Sequence, residues 1–146
     1  MIGRPEIVAA ARGWIGTPYR HQASLRQVGC DCLGLLRGVW REVIGPEPET
    51  PPPYAPDWAE SLAAGQHPEP LLAAAERHLI RIAIADLAPG DVLVFRWRAH
   101  LPAKHLAILS GPASMIHAHD GAEVCEAHLG GWWRRHLAAA FRYPEI

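Results

Sequence analysis

The chain has 146 residues, of which 49% are hydrophobic, and its formal net charge at pH 7 is -1. That length predicts a single domain over residues 1–146, and the hydrophobic content suffices for a core and excludes a mainly disordered chain. The near-neutral charge offers no basic stripe of the kind that binds nucleic acid. No apolar run is long enough to span a bilayer, so we expect no membrane insertion.

The first ten residues include charged side chains and a proline, and they lack the apolar run of a secretory signal peptide. We therefore expect synthesis in the cytoplasm and, if the protein leaves the cell, another route of export. The cysteines are Cys30, Cys32 and Cys125. An odd count is a poor disulfide framework, so at least one free thiol is expected.

Two amphipathic helices are predicted in the first third of the chain. Pro5 suits the first turn of a helix, and apolar residues follow at helical spacing until Gly16-Thr17-Pro18 ends the pattern. A polar loop then leads to Asp31, which is a good N-cap residue. A second helical pattern begins at Cys32 and extends to Val43.

The middle of the chain is rich in proline. Gly45 to Pro56 contains six prolines, which exclude a helix or a central strand and indicate a stiff connection. A spacer is the simpler interpretation of this segment, with docking of a partner as the alternative. Short helices are predicted around Trp58 to Ala64 and Glu69 to Leu79.

Beyond residue 79 the hydrophobic pattern becomes typical of strands. Leu87 to Asp91 is predicted to form a turn, and Asp120-Gly121 is a hairpin signal. Helices followed by an antiparallel sheet predict an α+β domain. The predicted strands cover 79–84, 92–97, 105–109, 115–119, 122–126 and 137–143.

Cys32 stands where a reactive thiol is expected, at the start of a predicted helix. Unpaired N–H groups and the helix dipole favour a thiolate there, whereas the alternative is a small, inert core residue. A base must come from elsewhere. Among nine histidines, His105 and His117 lie at or in predicted strands, where an imidazole is held rigidly. Taken alone, each of them is more often structural than catalytic.

Five segments in sequence order resemble the NlpC/P60 family of cysteine peptidases, and together they run from residue 16 to about residue 119. The Asp-Cys-Leu-Gly-Leu form of the second segment is most similar to the short tail-associated cell-wall peptidases of phages and gene transfer particles. The segments are Gly16-Thr17-Pro18-Tyr19, Asp31-Cys32-Leu33-Gly34-Leu35, Pro89-Gly90-Asp91-Val92-Leu93-Val94-Phe95, His105-Leu106-Ala107-Ile108 and Met115-Ile116-His117-Ala118.

The resemblance implies a papain-like fold in which the nucleophile helix packs on an antiparallel sheet. It implies Cys32 as nucleophile, His105 as general base and His117 as the third polar residue, which orients the base. Cys32 is then expected to have a depressed pKa and to pair with a charged His105. Tyr19 would lie beside the nucleophile with its hydroxyl near the oxyanion, and packing after the proline turn explains it equally well. No cofactor and no metal are expected.

Three residues around this motif set are unusual. Leu33 stands where most family members have Ser or Thr, which removes a hydroxyl beside the site. Cys30 lies just outside the predicted helix and is expected to be a loop thiol. His119 would share a strand face with His117, so either histidine could be the one that orients the base.

The leading functional hypothesis is an endopeptidase that acts on peptidoglycan stem peptides. The resemblance implies cleavage next to D-glutamate, typically at its γ-linked bond to a diamino acid. The alternative is a structural tail-hub component with a peptidase fold and little activity. A zinc hydrolase using His105, His117, His119 and Cys125 ranks lower, because no acidic residue stands at a typical spacing from the histidines.

The expected setting is the tail of a phage or gene transfer particle, where the protein would be a virion component that opens the cell wall locally during DNA delivery. Its expected partners are tail-tip or hub proteins. The proposed docking surfaces are the proline-rich segment and the Trp132-Trp133 region. At least one of these two tryptophans is expected to pack in the core.

Overall fold

The computed structural model describes residues 4–49, 69–119 and 121–144. The helices are α1 (Arg4–Arg12), α2 (Cys32–Val43), α3 (Pro70–His78) and α4 (Gly131–Arg135). The strands are β1 (Ser24–Leu25), β2 (Gly29–Cys30), β3 (Ile80–Ile82), β4 (Val92–Phe95), β5 (His105–Gly111), β6 (Ser114–His117), β7 (Cys125–His128) and β8 (Leu137–Arg142). Within the described part of the chain, no helix combines the length and the apolar character needed to cross a membrane.

Six strands form one sheet in the order β3-β8-β4-β5-β6-β7, and every neighbouring pair is antiparallel. The central strand β4 is buried along its whole length. Burial on both faces explains why its sequence is a continuous apolar run instead of an alternating one. The short strands β1 and β2 form a separate hairpin before α2.

The two faces of the sheet carry separate hydrophobic clusters. Val92 and Val94 belong to the larger cluster, which includes α1 and α2, whereas Leu93 and Phe95 belong to the smaller one. This alternation follows from the strand geometry, in which successive side chains point to opposite faces. Trp133 packs against the smaller cluster, so the second face is also covered.

Two glycines allow α2 to approach its neighbours closely. A Cβ at Gly38 would lie 2.0 Å from the Trp14 ring, which is 1% exposed and cannot move aside. A Cβ at Gly34 would lie 1.9 Å from the carbonyl oxygen of Ala23. Glycine inside a helix costs about 1 kcal/mol relative to alanine, so here it is retained because the packing admits no side chain.

The predicted α+β class, with helices and an antiparallel sheet, is confirmed. The first helix ends at Arg12, earlier than predicted, because residues 13–17 form turns closed by bonds such as Thr17 N–H to the Trp14 carbonyl at 2.9 Å. Asp120 of the predicted hairpin signal lies outside the described residues, whereas Gly121 is in a turn and Ala122 N–H bonds to the His119 carbonyl at 3.0 Å.

The hairpin prediction placed strands up to residue 119 and again from residue 122. In the structure β6 ends earlier, at His117, and β7 begins later, at Cys125. The hairpin β1-β2 and the helix α4 were not predicted, because two-residue strands and a single helical turn carry almost no periodic signal. The predicted helix at 58–64 lies outside the described residues, as does most of the proline-rich segment.

Candidate active site

Asp31 fixes the start of α2. Its Oδ1 accepts a hydrogen bond from Gly34 N–H at 2.7 Å, and its Oδ2 accepts one from Gln22 N–H at 2.8 Å. Asp31 is 3% exposed, so both bonds are shielded from water and are strengthened by the carboxylate charge. One bond caps the helix as the sequence predicts, and the other ties the preceding loop to it. Cys32 is therefore held in a defined position.

The sulfur of Cys32 lies where α2 meets the first residues of β5. Its thiol is 4.0 Å from the carbonyl oxygen of Lys104. The backbone amide of Leu106, the residue after His105, interacts with this sulfur. The amides of Cys32 and Leu33 at the start of α2 also interact with it. The side chain is half-buried. The sulfur thus faces backbone donors and lies against the strand that carries His105.

His105 and His117 form a buried hydrogen-bonded pair. His105 Nε2 is 2.9 Å from His117 Nδ1, and the two residues are 4% and 3% exposed. They stand at the first position of β5 and the last of β6, which are neighbours in the sheet. Since Nε2 of His105 is engaged by His117, its Nδ1 is the ring nitrogen that remains to exchange a proton with a thiol.

His119 lies beside this pair but makes a different contact. It is exposed and follows the end of β6, and its ring stacks on that of His117 at a centroid distance of 5.8 Å. The prediction that His117 and His119 share a side is confirmed. The geometry favours His117 as the residue that orients His105, because His117 makes the short hydrogen bond.

An aromatic wall surrounds the His105 ring. Trp97 stacks on it at 5.4 Å between centroids, Trp133 lies at 5.6 Å and Phe95 at 5.9 Å. The sequence analysis did not identify Trp97 as part of the site. The position of Trp97 two residues after Phe95 could have indicated that it lies near His105, because Phe95 pairs directly with His105 in the sheet.

Burial sets the protonation of the site. Desolvation, with a smaller effect of the Asp31 carboxylate, raises the pKa of Cys32 to about 12. Desolvation and the neighbouring His117 and His119 hold the pKa of His105 well below its usual value. Desolvation also lowers the pKa of His117 to about 4, with His119 adding to the effect. Burial therefore opposes the expected thiolate paired with a charged His105 and favours the neutral forms of both groups.

The other predicted site residues are placed as follows. Tyr19 is half-buried, and its backbone bridges to Cys30, which lies two residues before Cys32 in the chain. Its part in stabilising an oxyanion stays a prediction. Cys30 is not a loop thiol: it lies in β2, is 0% exposed, and burial raises its pKa to about 12.

All three cysteines are free, which confirms the expectation of at least one free thiol. Cys125 is half-buried and pairs with His117 across β6 and β7. Within the described residues, the histidines 105, 117 and 119 form a group that could hold a metal ion, and Cys125 does not belong to it. The four-ligand zinc set considered from the sequence is thus reduced to three histidines.

A mainly apolar cavity of about 380 Å³, with charged residues such as Arg37 and Glu47 in its lining, lies between α2 and α3. Leu33 and Leu106, which directly follow Cys32 and His105 in the chain, line it together with Leu36 and Tyr143. The unusual Leu33 therefore contributes to an apolar wall where a hydroxyl would have been poorly solvated.

Comparison with known proteins identifies the family of this chain. A sequence model described as the NlpC/P60 family matches residues 16–142. The gamma-DL-glutamyl hydrolase of Bacillus subtilis (strain 168) is 25% identical over 142 residues, which is 96% of this chain and 29% of that protein. The chain therefore spans less than a third of this curated relative.

Two solved structures have a similar fold. The NlpC/p60 domain of the peptidoglycan hydrolase SagA is 22% identical and has a TM-score of 0.65. The match covers 96% of this chain and 98% of that domain. The peptidoglycan hydrolase RipB of Mycobacterium tuberculosis is 16% identical, with a TM-score of 0.63 and coverage of 98% of this chain and 65% of that one. The family match spans most of the chain, and the protein belongs to the NlpC/P60 family, with its papain-like α+β fold.

Proposed function

We propose that the protein is a cysteine peptidase that hydrolyses the stem peptides of peptidoglycan. Cys32 is the nucleophile, His105 the general base and His117 the residue that orients the base. The observation that carries this proposal is the buried 2.9 Å hydrogen bond between His105 Nε2 and His117 Nδ1, beside a helix that begins at Cys32. A thiol, a base and a third group that fixes the base are the parts that thiol catalysis requires.

The reaction starts from neutral groups. As substrate binds, Nδ1 of His105 takes the proton from the Cys32 thiol, and the sulfur attacks the carbonyl carbon of the scissile bond. The C–N bond then breaks, the amine leaves with the proton from His105, and a thioester remains on Cys32. Water attacks the thioester while His105 accepts its proton, the C–S bond breaks, and the thiol is restored.

Developing negative charge on the carbonyl oxygen needs nearby donors. The backbone amides of Cys32 and Leu33 at the start of α2 already face the sulfur, and the helix dipole favours an anion there. We assign Tyr19 as an additional donor, since its backbone is fixed beside Cys30. The hydrogen bond to His117 stabilises the imidazolium that forms on His105.

The names of the relatives support the choice of substrate. One is called a gamma-DL-glutamyl hydrolase and two are called peptidoglycan hydrolases. We extend this to the γ-linked bond between D-glutamate and a diamino acid, as the sequence resemblance implies. Leu33 and Leu106, which adjoin Cys32 and His105 in the chain, present apolar side chains to the neighbouring cavity.

We also propose that the enzyme works in the tail tip or hub of a phage-like particle and opens the wall during DNA delivery. The proposal rests on the Asp-Cys-Leu-Gly-Leu form of residues 31–35. Trp132 is 48% exposed and offers an apolar contact surface, whereas Trp133 is half-buried against the smaller core. One tryptophan of this pair is thus available for docking while the other stabilises the fold.

Removing the nucleophile is expected to abolish hydrolysis. Cys32→Ala should leave no measurable digestion of purified peptidoglycan, because no other group can form the thioester. Cys125→Ala is the matched control, since its thiol is also half-buried, and should keep most activity, as should Cys30→Ala. Fragments are identified by mass spectrometry. Equal loss in Cys125→Ala and Cys32→Ala would show that the wrong thiol was chosen, and an inactive wild type would favour the structural alternative.

The three histidines are expected to differ in effect. His105→Ala should be the most damaging, about 10²–10⁴-fold in kcat, because it removes the proton-transfer group. His117→Ala should reduce kcat less, because it only misaligns the base, and His119→Ala should stay near the wild-type value. Steady-state hydrolysis of a stem-peptide substrate measures all three. A larger loss in His119→Ala than in His117→Ala would contradict the assignment of the orienting residue.

The pH dependence of alkylation tests the neutral resting pair. Because burial raises the pKa of Cys32 to about 12, its thiolate fraction should rise with pH throughout the range from neutral to alkaline. Iodoacetamide should therefore label Cys32 slowly at pH 6, and faster at each higher pH, in a Cys30→Ala/Cys125→Ala background without substrate. A rate that is already constant below pH 7 would instead demonstrate a preformed thiolate and imidazolium pair.

The tail assignment predicts that the protein is present in purified particles. Proteomics of the particles should detect it, and labelled antibody should place it at the tail tip by electron microscopy. If purified particles lack the protein although the isolated domain digests peptidoglycan, the delivery role is excluded. The peptidase proposal would then still stand.

A further inference from the structure

His119 is the one member of the histidine group that the proposed mechanism does not use. One ring nitrogen from each of His105, His117 and His119 lies within 4.8 Å of the others. Two of the three are buried, whereas His119 is exposed and belongs to the loop after β6. A group of this kind has the ligand number and ligand type of an open zinc site, with three histidines and one position left for water.

We infer that His105, His117 and His119 form a binding site for a divalent transition metal such as Zn²⁺, and that a bound ion switches off the hydrolase by occupying its base. The inference rests on the proposed function. It differs from a zinc hydrolase, because the metal acts against turnover and Cys32 remains the nucleophile.

The distances are compatible with such an ion. Zn²⁺ binds imidazole nitrogen at about 2.0–2.1 Å. The 2.9 Å separation between His105 Nε2 and His117 Nδ1 therefore needs only a small widening for an ion to replace the proton between them. His119, the third ligand, must move closer to the ion. It can do so because it lies outside the strand and is exposed.

The surroundings shape the site without completing its coordination. Trp97 and Trp133 lie against the rings of His105 and His119, with centroid distances between 5.4 and 6.3 Å, and limit the directions in which these rings can turn. Lys104 adjoins His105 and opposes positive charge there. We therefore expect affinity in the micromolar range, suited to a reversible inhibitor and weaker than that of a structural zinc site.

The ion would inhibit for a simple reason. The lone pair of His105 Nε2 would be donated to the metal, so the hydrogen bond to His117 that orients the base would be lost. The single proton of the neutral imidazole would then lie on Nδ1, so Nδ1 of His105 could not accept the proton of the Cys32 thiol. Removing the ion with a chelator restores the hydrogen-bonded pair.

The test uses the whole chain after treatment with a chelator. Calorimetric titration with Zn²⁺ is expected to show one ion per chain, and hydrolysis of peptidoglycan should fall over the same Zn²⁺ range and return after chelation. His119→Ala should hydrolyse at a near wild-type rate without metal and need at least about tenfold more Zn²⁺ for both binding and inhibition. His128→Ala, an exposed histidine outside the group, should respond like the wild type.

Cys32→Ala separates this inference from the proposed function, because it should be inactive and still bind Zn²⁺ with wild-type affinity. Loss of binding in Cys32→Ala would place the ion on the thiolate and overturn the site. Equal Zn²⁺ affinity in His119→Ala and wild type would also overturn it. Hydrolysis that requires Zn²⁺ would contradict both the inhibitory role and the thiol mechanism. An inactive wild type that binds Zn²⁺ through His119 would contradict the peptidase proposal and the inhibitory role, and it would support the metal site.

Discussion

The placement of one helix start determines what this protein can do. The buried Asp31 carboxylate accepts hydrogen bonds from Gly34 and Gln22, so it fixes both the first turn of α2 and the loop before it. Gly34 and Gly38 let the same helix lie against Ala23 and Trp14 without a side chain between them. The sulfur of Cys32 is consequently held where the interior strand β5 begins, beside the carbonyl oxygen of Lys104.

The sheet supplies the second half of the site. His105 and His117 stand at the ends of neighbouring antiparallel strands, and packing on both faces leaves them almost no freedom. The same burial that orients the imidazoles also keeps them neutral, because an apolar wall that includes Trp97 penalises a charged ring. In the proposed mechanism, the Cys32 thiol therefore transfers its proton to His105 only when substrate arrives.

Several features of the site were predictable from the sequence for physical reasons. The start of α2 could be located because Asp31 is a strong N-cap residue before a clear helical pattern. The class of fold followed from helices that precede strands. The sequence could not show whether His117 or His119 orients His105, because side chains two residues apart in a strand lie on the same side. Only the 2.9 Å contact with His105 distinguishes His117.

The effect of burial on protonation was the feature that the sequence alone did not indicate. A helix start and a nearby histidine favour a thiolate, whereas the effect of burial depends on how the aromatic side chains of distant segments close over the site. Cys30 illustrates the same limit: two-residue strands are invisible in a sequence, so a fully buried thiol was expected in a loop.

The central claim is that Cys32 becomes covalently acylated during turnover. The direct measurement is intact-protein mass spectrometry after rapid acid quenching of the wild type with a stem peptide. The account predicts an adduct with the mass of the acyl fragment, localised to Cys32 and released by hydroxylamine as expected for a thioester. Hydrolysis of the same peptide at an undiminished rate by Cys32→Ala, with no adduct in the wild type, would contradict it.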